Sequence, residues 1–276
     1  MPALTGATRL AAVIGDPVRH SRSPALANAA FSAGNLPWAM VAFEVPAGSG
    51  AEAVEAARVL GIGGLMVTMP HKAEVIPALD RLTPAAAALG AVNSIAWEGD
   101  ALVGDNTDGP GLVASLRTDR GIDLAGRRVA VLGAGGAARS VAWAVGDAGA
   151  AEVVVVDRTA ARAETAAALA GPVGRVAPVE AVAEADVVVN ATSVGMGAGA
   201  DDDGPLPVPV EVLGDHQVVV DLVYQPLVTP LLRAAAAAGA RSVDGLGMLV
   251  HQAARSIERW TGIVPDLAAM AAAARA

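Results

Sequence analysis

Short runs of β-branched and other apolar residues alternate with alanine-rich stretches of helical period almost from end to end of this chain. Leu10 to Gly15, Trp38 to Val45 and Gly64 to Thr68 read as strands, with helices opening at Ser23-Pro24 and Gly50-Ala51. Ser94 to Trp97 and Ala101 to Gly104, separated by Glu98-Gly99-Asp100, suit a hairpin. A helix is expected from Asp108 to about Asp119, after which the alternation restarts more regularly. Arg127 to Leu132, Glu152 to Val156, Asp186 to Asn190 and Gln217 to Leu222 predict buried strands, with helices over Gly136 to Val145 and Ala160 to Leu169. Strands spaced by helices in this way predict an α/β protein of parallel strands with crossover helices.

A length of 276 residues with 54% hydrophobic and 17% charged residues suits a soluble globular chain with two modest cores. One domain is expected over residues 109–243. The other is expected to be discontinuous, formed by 1–108 together with a helical C-terminal return over 244–276. The mean hydropathy of +0.49 comes from alanine and valine in short segments, and no stretch reads as a membrane span. The first ten residues lack the apolar centre of a secretory signal, so a cytoplasmic location is the default expectation. A formal charge of -9 disfavours nucleic acid, which demands clustered Lys and Arg. The chain has no cysteine, which excludes disulfides and thiolate sites, and its four histidines lack the spacing of a helical zinc site, so no metal is expected. Gly195 to Pro209 reads as a solvated loop rather than a cation site, despite Asp201, Asp202 and Asp203.

One segment changes the picture from architecture to chemistry. Val129 to Leu132 runs through Gly133-Ala134-Gly135-Gly136-Ala137-Ala138 into a helix. Gly133 allows the tight turn, Gly135 lets backbone approach a pyrophosphate, and Gly136 with Ala138 keeps helix and strand close. The helix N-terminus then offers N–H groups and partial positive charge. Asp157 ends the next strand, as a dinucleotide site requires for a ribose 2′-hydroxyl, while Arg158 and Arg162 stand where they would attract a 2′-phosphate. Asp157 thus favours NAD and the arginines NADP; solvated charge at a helix start is the plainer alternative. Residues 109–243 are therefore expected to form a Rossmann-type doubly wound domain.

A second polar set lies upstream. Val67-Thr68-Met69-Pro70-His71-Lys72 puts a lysine after a strand, and Gly104-Asp105-Asn106-Thr107-Asp108-Gly109 supplies an aspartate. Brought together, Lys72 and Asp108 can move a proton to or from a hydroxyl, as alcohol–ketone chemistry needs. A surface salt bridge is the alternative.

These motifs, with Gly15 to Pro24, Gly90 to Ser94, Asn190 to Met196, Asp221 to Tyr224 and Asp244 to Gln252, resemble the shikimate dehydrogenase family over nearly the whole chain. The resemblance implies an N-terminal substrate domain joined by the last helices, and NADP(H)-dependent, reversible reduction of 3-dehydroshikimate to shikimate. It implies Lys72 and Asp108 as the catalytic pair. Ser21 and Ser23 would hold the substrate carboxylate, with capping of the helix at Pro24 as the alternative. Thr68, Asn93 and Gln252 would contact ring hydroxyls, and Tyr224 would close the carboxylate side. For Asn93 and Gln252 the alternative is helix capping or surface solvation, and for Tyr224 plain packing. On the cofactor side it implies Gly133, Gly135, Gly136 and Ala137 at the phosphates, Arg158 and Arg162 at the 2′-phosphate, and Thr192 and Ser193 over the dinucleotide. Gly247 and Met248 would border the nicotinamide, with Met248 as core filler the alternative.

Three positions depart from the family pattern. Ala27 precedes Asn28 where the family has His-Asn, Met66 stands where asparagine is frequent, and Asp157 stands where NADP-preferring members carry asparagine. Asp157 is the mark of relatives using NAD or both cofactors, including quinate/shikimate dehydrogenases; Ser23, rather than threonine, is the mark of shikimate. A sensor that kept the fold and lost activity is the alternative from another class, which intact Lys72, Asp108, Asn93 and Gln252 disfavour. The expected partner is a small molecule, and the expected state a monomer or homodimer, away from nucleic acid and membrane.

Overall fold

The computed structural model describes residues 4–197 and 204–275, so the three consecutive aspartates of the acidic loop lie outside the described residues. The chain divides into two compact units, Met1–Thr107 with Val250–Ala276, and Asp108–Leu249. The second return falls a few residues beyond Asp244, inside a continuous helix.

Unit 1 holds a mixed six-stranded sheet. Its strands are β1 (Arg9–Gly15), β2 (Trp38–Glu44), β3 (Gly64–Val67), β4 (Arg81–Leu82), β5 (Ser94–Glu98) and β6 (Ala101–Asp105), in the order β2-β1-β3-β5-β6-β4. β1 pairs in parallel with β2 and β3, while β5 and β6 form the antiparallel hairpin across Gly99, whose φ of +65° suits a turn glycine. Helices α1 (Ser23–Ala33), α2 (Gly50–Leu60) and α3 (Pro84–Leu89) join them. The last is a short element that the sequence pattern does not reveal, capped by Thr83, whose hydroxyl accepts from Ala86 N–H. One face of the sheet buries Ala12, Ile14, Leu65, Val67 and Ile95 with Val54 and Ala57 of α2.

Unit 2 is a six-stranded, wholly parallel sheet. Its strands are β7 (Arg128–Leu132), β8 (Glu152–Val156), β9 (Gly174–Val176), β10 (Val187–Asn190), β11 (Val218–Asp221) and β12 (Arg241–Val243), in the order β12-β11-β10-β7-β8-β9. Helices α4 (Asp108–Arg120), α5 (Gly136–Asp147), α6 (Ala160–Ala168) and α7 (Pro230–Ala237) connect and cover them. Valines on successive positions feed separate cores on the two faces, Val129, Val131, Val153 and Val187 on one and Val188 and Val219 on the other. Continuous valine runs are what a sheet buried on both faces requires. Strand order reverses between β7 and β10, so the crevice at their C-terminal ends is the topological switch point.

Helix α8 (Leu246–Thr261) leads to α9 (Leu267–Arg275), which packs on α1 and accepts a hydrogen bond from Arg22 Nη1 at the Ala274 carbonyl. Among the described residues no helix is long and apolar enough to cross a membrane.

Candidate active site

In unit 1, three chain segments are stitched together at the C-terminal ends of β1 and β3. Thr68 N–H donates to Ile14 O at 3.0 Å and Asp16 N–H to Met69 O at 2.9 Å, drawing Gly15 to Pro24 beside the turn that holds Lys72. Gly15 makes this approach possible: a Cβ there would lie 2.4 Å from Thr68 Cγ2. Val92 N–H then donates to Lys72 O at 2.7 Å, and Val67 N–H to Asn93 O at 2.8 Å. The backbone on both sides of Lys72 is thus fixed to the segment that carries Asn93.

Asn93 is the centre of the arrangement. It is 4% exposed, its Oδ1 accepts from Thr107 N–H at 2.8 Å, and its Nδ2 donates to Thr107 Oγ1 at 3.1 Å, with a long 3.5 Å contact to Gln252 Oε1. Gln252 reaches it from α8 and is itself buried, so neither amide is a helix cap or a solvated surface group. Asp108 follows Thr107 in the chain and opens α4.

Ser21 and Ser23 are half-buried. The residue before α1 is Arg22 and no side-chain cap is made, so capping does not occupy Ser23; Ser21 Oγ accepts only from Ser23 N–H, at 3.3 Å. Their hydroxyl protons have no partner among the described residues. Ala27 is fully buried and Asn28 is committed to Met40 through two 2.9 Å bonds, which makes the departure from His-Asn part of the fold. Met66 lies opposite Ser94 in the antiparallel β3–β5 pair, and the buried Ser94 hydroxyl has no partner among the described residues.

Two groups that carried no sequence expectation support the lysine turn. His71 is fully buried; its Nε2–H donates to Val45 O at 2.8 Å and its Nδ1 lies 2.7 Å from Glu74 Oε2. The His71 ring, with Gly48 N–H, holds the Glu74 carboxyl below its ordinary range against the cost of desolvation. A depressed folded-state value stabilises the fold above the unfolded value, and the gain is lost as pH falls through the folded one. Glu74→Gln is therefore expected to unfold at lower urea than wild type near neutral pH, and to converge with it as pH falls below the ordinary glutamate range. A constant offset at every pH would remove the ionised Glu74 carboxylate as the cause. Arg259 of α8 binds Asp105 Oδ2 at 2.8 Å while the Thr83 hydroxyl and Asn106 N–H donate to Oδ1, which steadies the end of β6.

In unit 2 the glycine turn lies at the switch point. Gly133 has φ +99°, and a Cβ there would lie 3.0 Å from Thr192 Cγ2, so the loops after β7 and β10 approach through this glycine. Gly135 caps α5 with no side-chain bond, and a Cβ at Gly135 or Gly136 would meet nothing within 4 Å. Open space before an uncapped helix start fits a dinucleotide pyrophosphate. Asp157 Oδ1 accepts from Thr159 N–H at 2.9 Å, turning that carboxylate towards the start of α6. Arg158 and Arg162 are exposed and form no ion pair among the described residues.

Thr192 is half-buried and Ser193 exposed in the loop after β10. Tyr224 is half-buried in the loop after β11. Gly247 fits tightly against α4, a Cβ there falling 2.1 Å from Ser115 Oγ, and Met248 packs partly against the core of unit 2.

A parallel sheet with a dinucleotide turn at its switch point, together with an α/β unit that gathers Lys72, Asn93 and Thr107, defines a two-unit dehydrogenase of the nicotinamide-dependent class. Three family models match: the shikimate dehydrogenase substrate binding domain over residues 13–95, the shikimate/quinate 5-dehydrogenase over 115–196, and the shikimate 5′-dehydrogenase C-terminal domain over 245–275. The shikimate dehydrogenase (NADP(+)) of Geobacter sulfurreducens is 42% identical over 272 residues, covering 95% of this chain and 94% of that protein. A shikimate dehydrogenase solved with NADP+ superposes with a TM-score of 0.92 at 34% identity, covering 99% and 96% of the two chains. The Thermus thermophilus shikimate 5-dehydrogenase solved with NADP(H) and shikimate gives 0.89 at 38% identity, covering 97% and 99%. The chain belongs to the shikimate dehydrogenase family.

Proposed function

We propose that this chain is a shikimate dehydrogenase that interconverts 3-dehydroshikimate and shikimate with NADP(H). The observation that carries the mechanism is Asn93, whose backbone and amide tie the Lys72 turn to Thr107, the residue before Asp108. The cofactor, when bound, supplies or accepts the hydride. In the reductive direction negative charge grows on the C3 oxygen; the Lys72 ammonium stabilises it and delivers the proton, and Asp108 orients the lysine. Thr68, Asn93 and Gln252 take the ring hydroxyls. Ser21, Ser23 and Tyr224 hold the carboxylate, which hydroxyl donors can satisfy without a cation.

Unit 1 is assigned the substrate and unit 2 the dinucleotide. Gly133, Gly135, Gly136 and Ala137 receive the pyrophosphate, Thr192 and Ser193 cover it, and Gly247 with Met248 border the nicotinamide. NADP is favoured over NAD because Asp157 is engaged with Thr159 while Arg158 and Arg162 are exposed without an ion pair among the described residues. The enzyme is assigned to the cytoplasm as a monomer or homodimer, which sedimentation distinguishes.

The test is a steady-state matrix of shikimate and quinate against NADP+ and NAD+. Shikimate with NADP+ should give the highest kcat/KM, and Arg158→Ala with Arg162→Ala should raise the NADP+ KM by about tenfold or more with little change in the NAD+ KM. Faster turnover of quinate with NAD+ would overturn the assignment in favour of a quinate/shikimate dehydrogenase.

A further inference from the structure

Asp221, the last residue of β11, is fully buried, with no cationic side chain bonded to it among the described residues. Its Oδ2 accepts from Thr229 Oγ1 at 2.6 Å; its Oδ1 accepts from Asn190 Nδ2 at 2.9 Å and from Val223 N–H at 3.1 Å. Asn190 is its register partner at the end of β10 and uses its own Oδ1 for Thr192, accepting from Oγ1 at 2.7 Å and from N–H at 3.1 Å. One carboxylate therefore serves the loop after β10 and both ends of the loop after β11. Burial pushes the Asp221 carboxyl up, and the three donors oppose that rise. An apolar side chain here would leave the Thr229 hydroxyl, the Asn190 amide and the Val223 N–H without this acceptor, so the carboxylate sets the geometry of both loops.

We infer that Asp221 is a positioning residue that orders the Thr192 loop and the Tyr224 loop together, and so links cofactor and substrate binding within unit 2. This rests on the activity proposed above for Thr192 and Tyr224.

Steady-state kinetics and NADPH fluorescence titration are measured on wild type, Asp221→Ala, Thr229→Val, Thr229→Ser and, as a matched core change in the neighbouring strand, Val188→Ala. Asp221→Ala should raise the KM for both shikimate and NADP+ by about tenfold, with kcat within about threefold of wild type. Val188→Ala should lose stability with both KM values unchanged, since Val188 is fully buried and makes no bond to either loop. Thr229→Val should raise the shikimate KM and Thr229→Ser should restore it, a pair that decides the matter even where Asp221→Ala does not fold. Unchanged KM values in Asp221→Ala, or a Thr229→Ser as impaired as Thr229→Val, would overturn the inference. Wild type inactive on shikimate would instead remove the activity, and NADPH affinity unaltered in Asp221→Ala would then remove the positioning role separately.

Discussion

Lys72→Ala lowers kcat for shikimate oxidation by about 10²- to 10⁴-fold, the range a positioned general acid–base contributes, while NADPH affinity stays at the wild-type value. The separation is expected because Lys72 and the dinucleotide turn belong to different compact units. Its turn is fixed by backbone bonds to Ile14 and Val92 and by the His71 ring, so removing the side chain leaves the loop in place. Lys72→Arg separates the two tasks of the lysine. A guanidinium restores positive charge beside the oxygen but does not give up its proton, so partial recovery of KM with little recovery of kcat is expected. Robust turnover by Lys72→Ala would exclude the lysine from the proton step. A matching loss of NADPH affinity would show the variant to be disordered rather than chemically disabled.

The elements that periodicity exposes are those whose burial is continuous. Val153 to Val155 and Val187 to Val189 are apolar on both faces, and the strands lie within a residue or so of the positions expected for them. Short elements escape. β4 has two residues and β9 and β12 three each, too few to show a period, and α7 lies in an alanine run where helix and loop look alike. Thr229 before Pro230 is the cap signal that could have revealed α7.

Site residues divide in the same way. Motif and strand placement mark Lys72, Asp108 and the glycine turn, while Asn93 comes only from the family resemblance. Neither reveals that Asn93 bonds to Thr107, or that Arg259 of α8 grips Asp105, since those pairs are distant in sequence and only the sheet brings them together. Asp157 is the clearest case of one residue read two ways. Its type points to a ribose hydroxyl, but a short polar side chain two residues before Thr159 also serves the local backbone, and that is the bond it makes. His71 stands inside the lysine motif, yet its partners, Val45 and Glu74, follow only from the fold.

Gly109→Ala should destabilise unit 2 by about 1–3 kcal/mol or more, lowering its melting midpoint by roughly 5–10 °C. Gly109 lies in the first turn of α4, which packs on α5; its N–H donates to Ser140 Oγ at 2.8 Å. A Cβ there would fall 2.1 Å from the Ser140 carbonyl oxygen and 2.7 Å from Ala144 Cβ. Backbone cannot yield as the end of a flexible side chain can, so α4 must move away from α5. The gain in helix propensity from glycine to alanine, about 1 kcal/mol, is too small to offset that displacement. Asp108 is the preceding residue, so the shift also displaces the aspartate and should lower kcat beyond what the loss of folded protein explains. Gly136→Ala makes the opposite comparison in the same unit. No atom lies within 4 Å of a Cβ at that position, so stability should hold or rise by about 0.4–1 kcal/mol, while the added methyl at the phosphate turn weakens NADP+ binding. Thermal melts of the two variants decide the matter: a Gly109→Ala protein that melts with wild type would mean that the α4–α5 contact does not control where Asp108 sits.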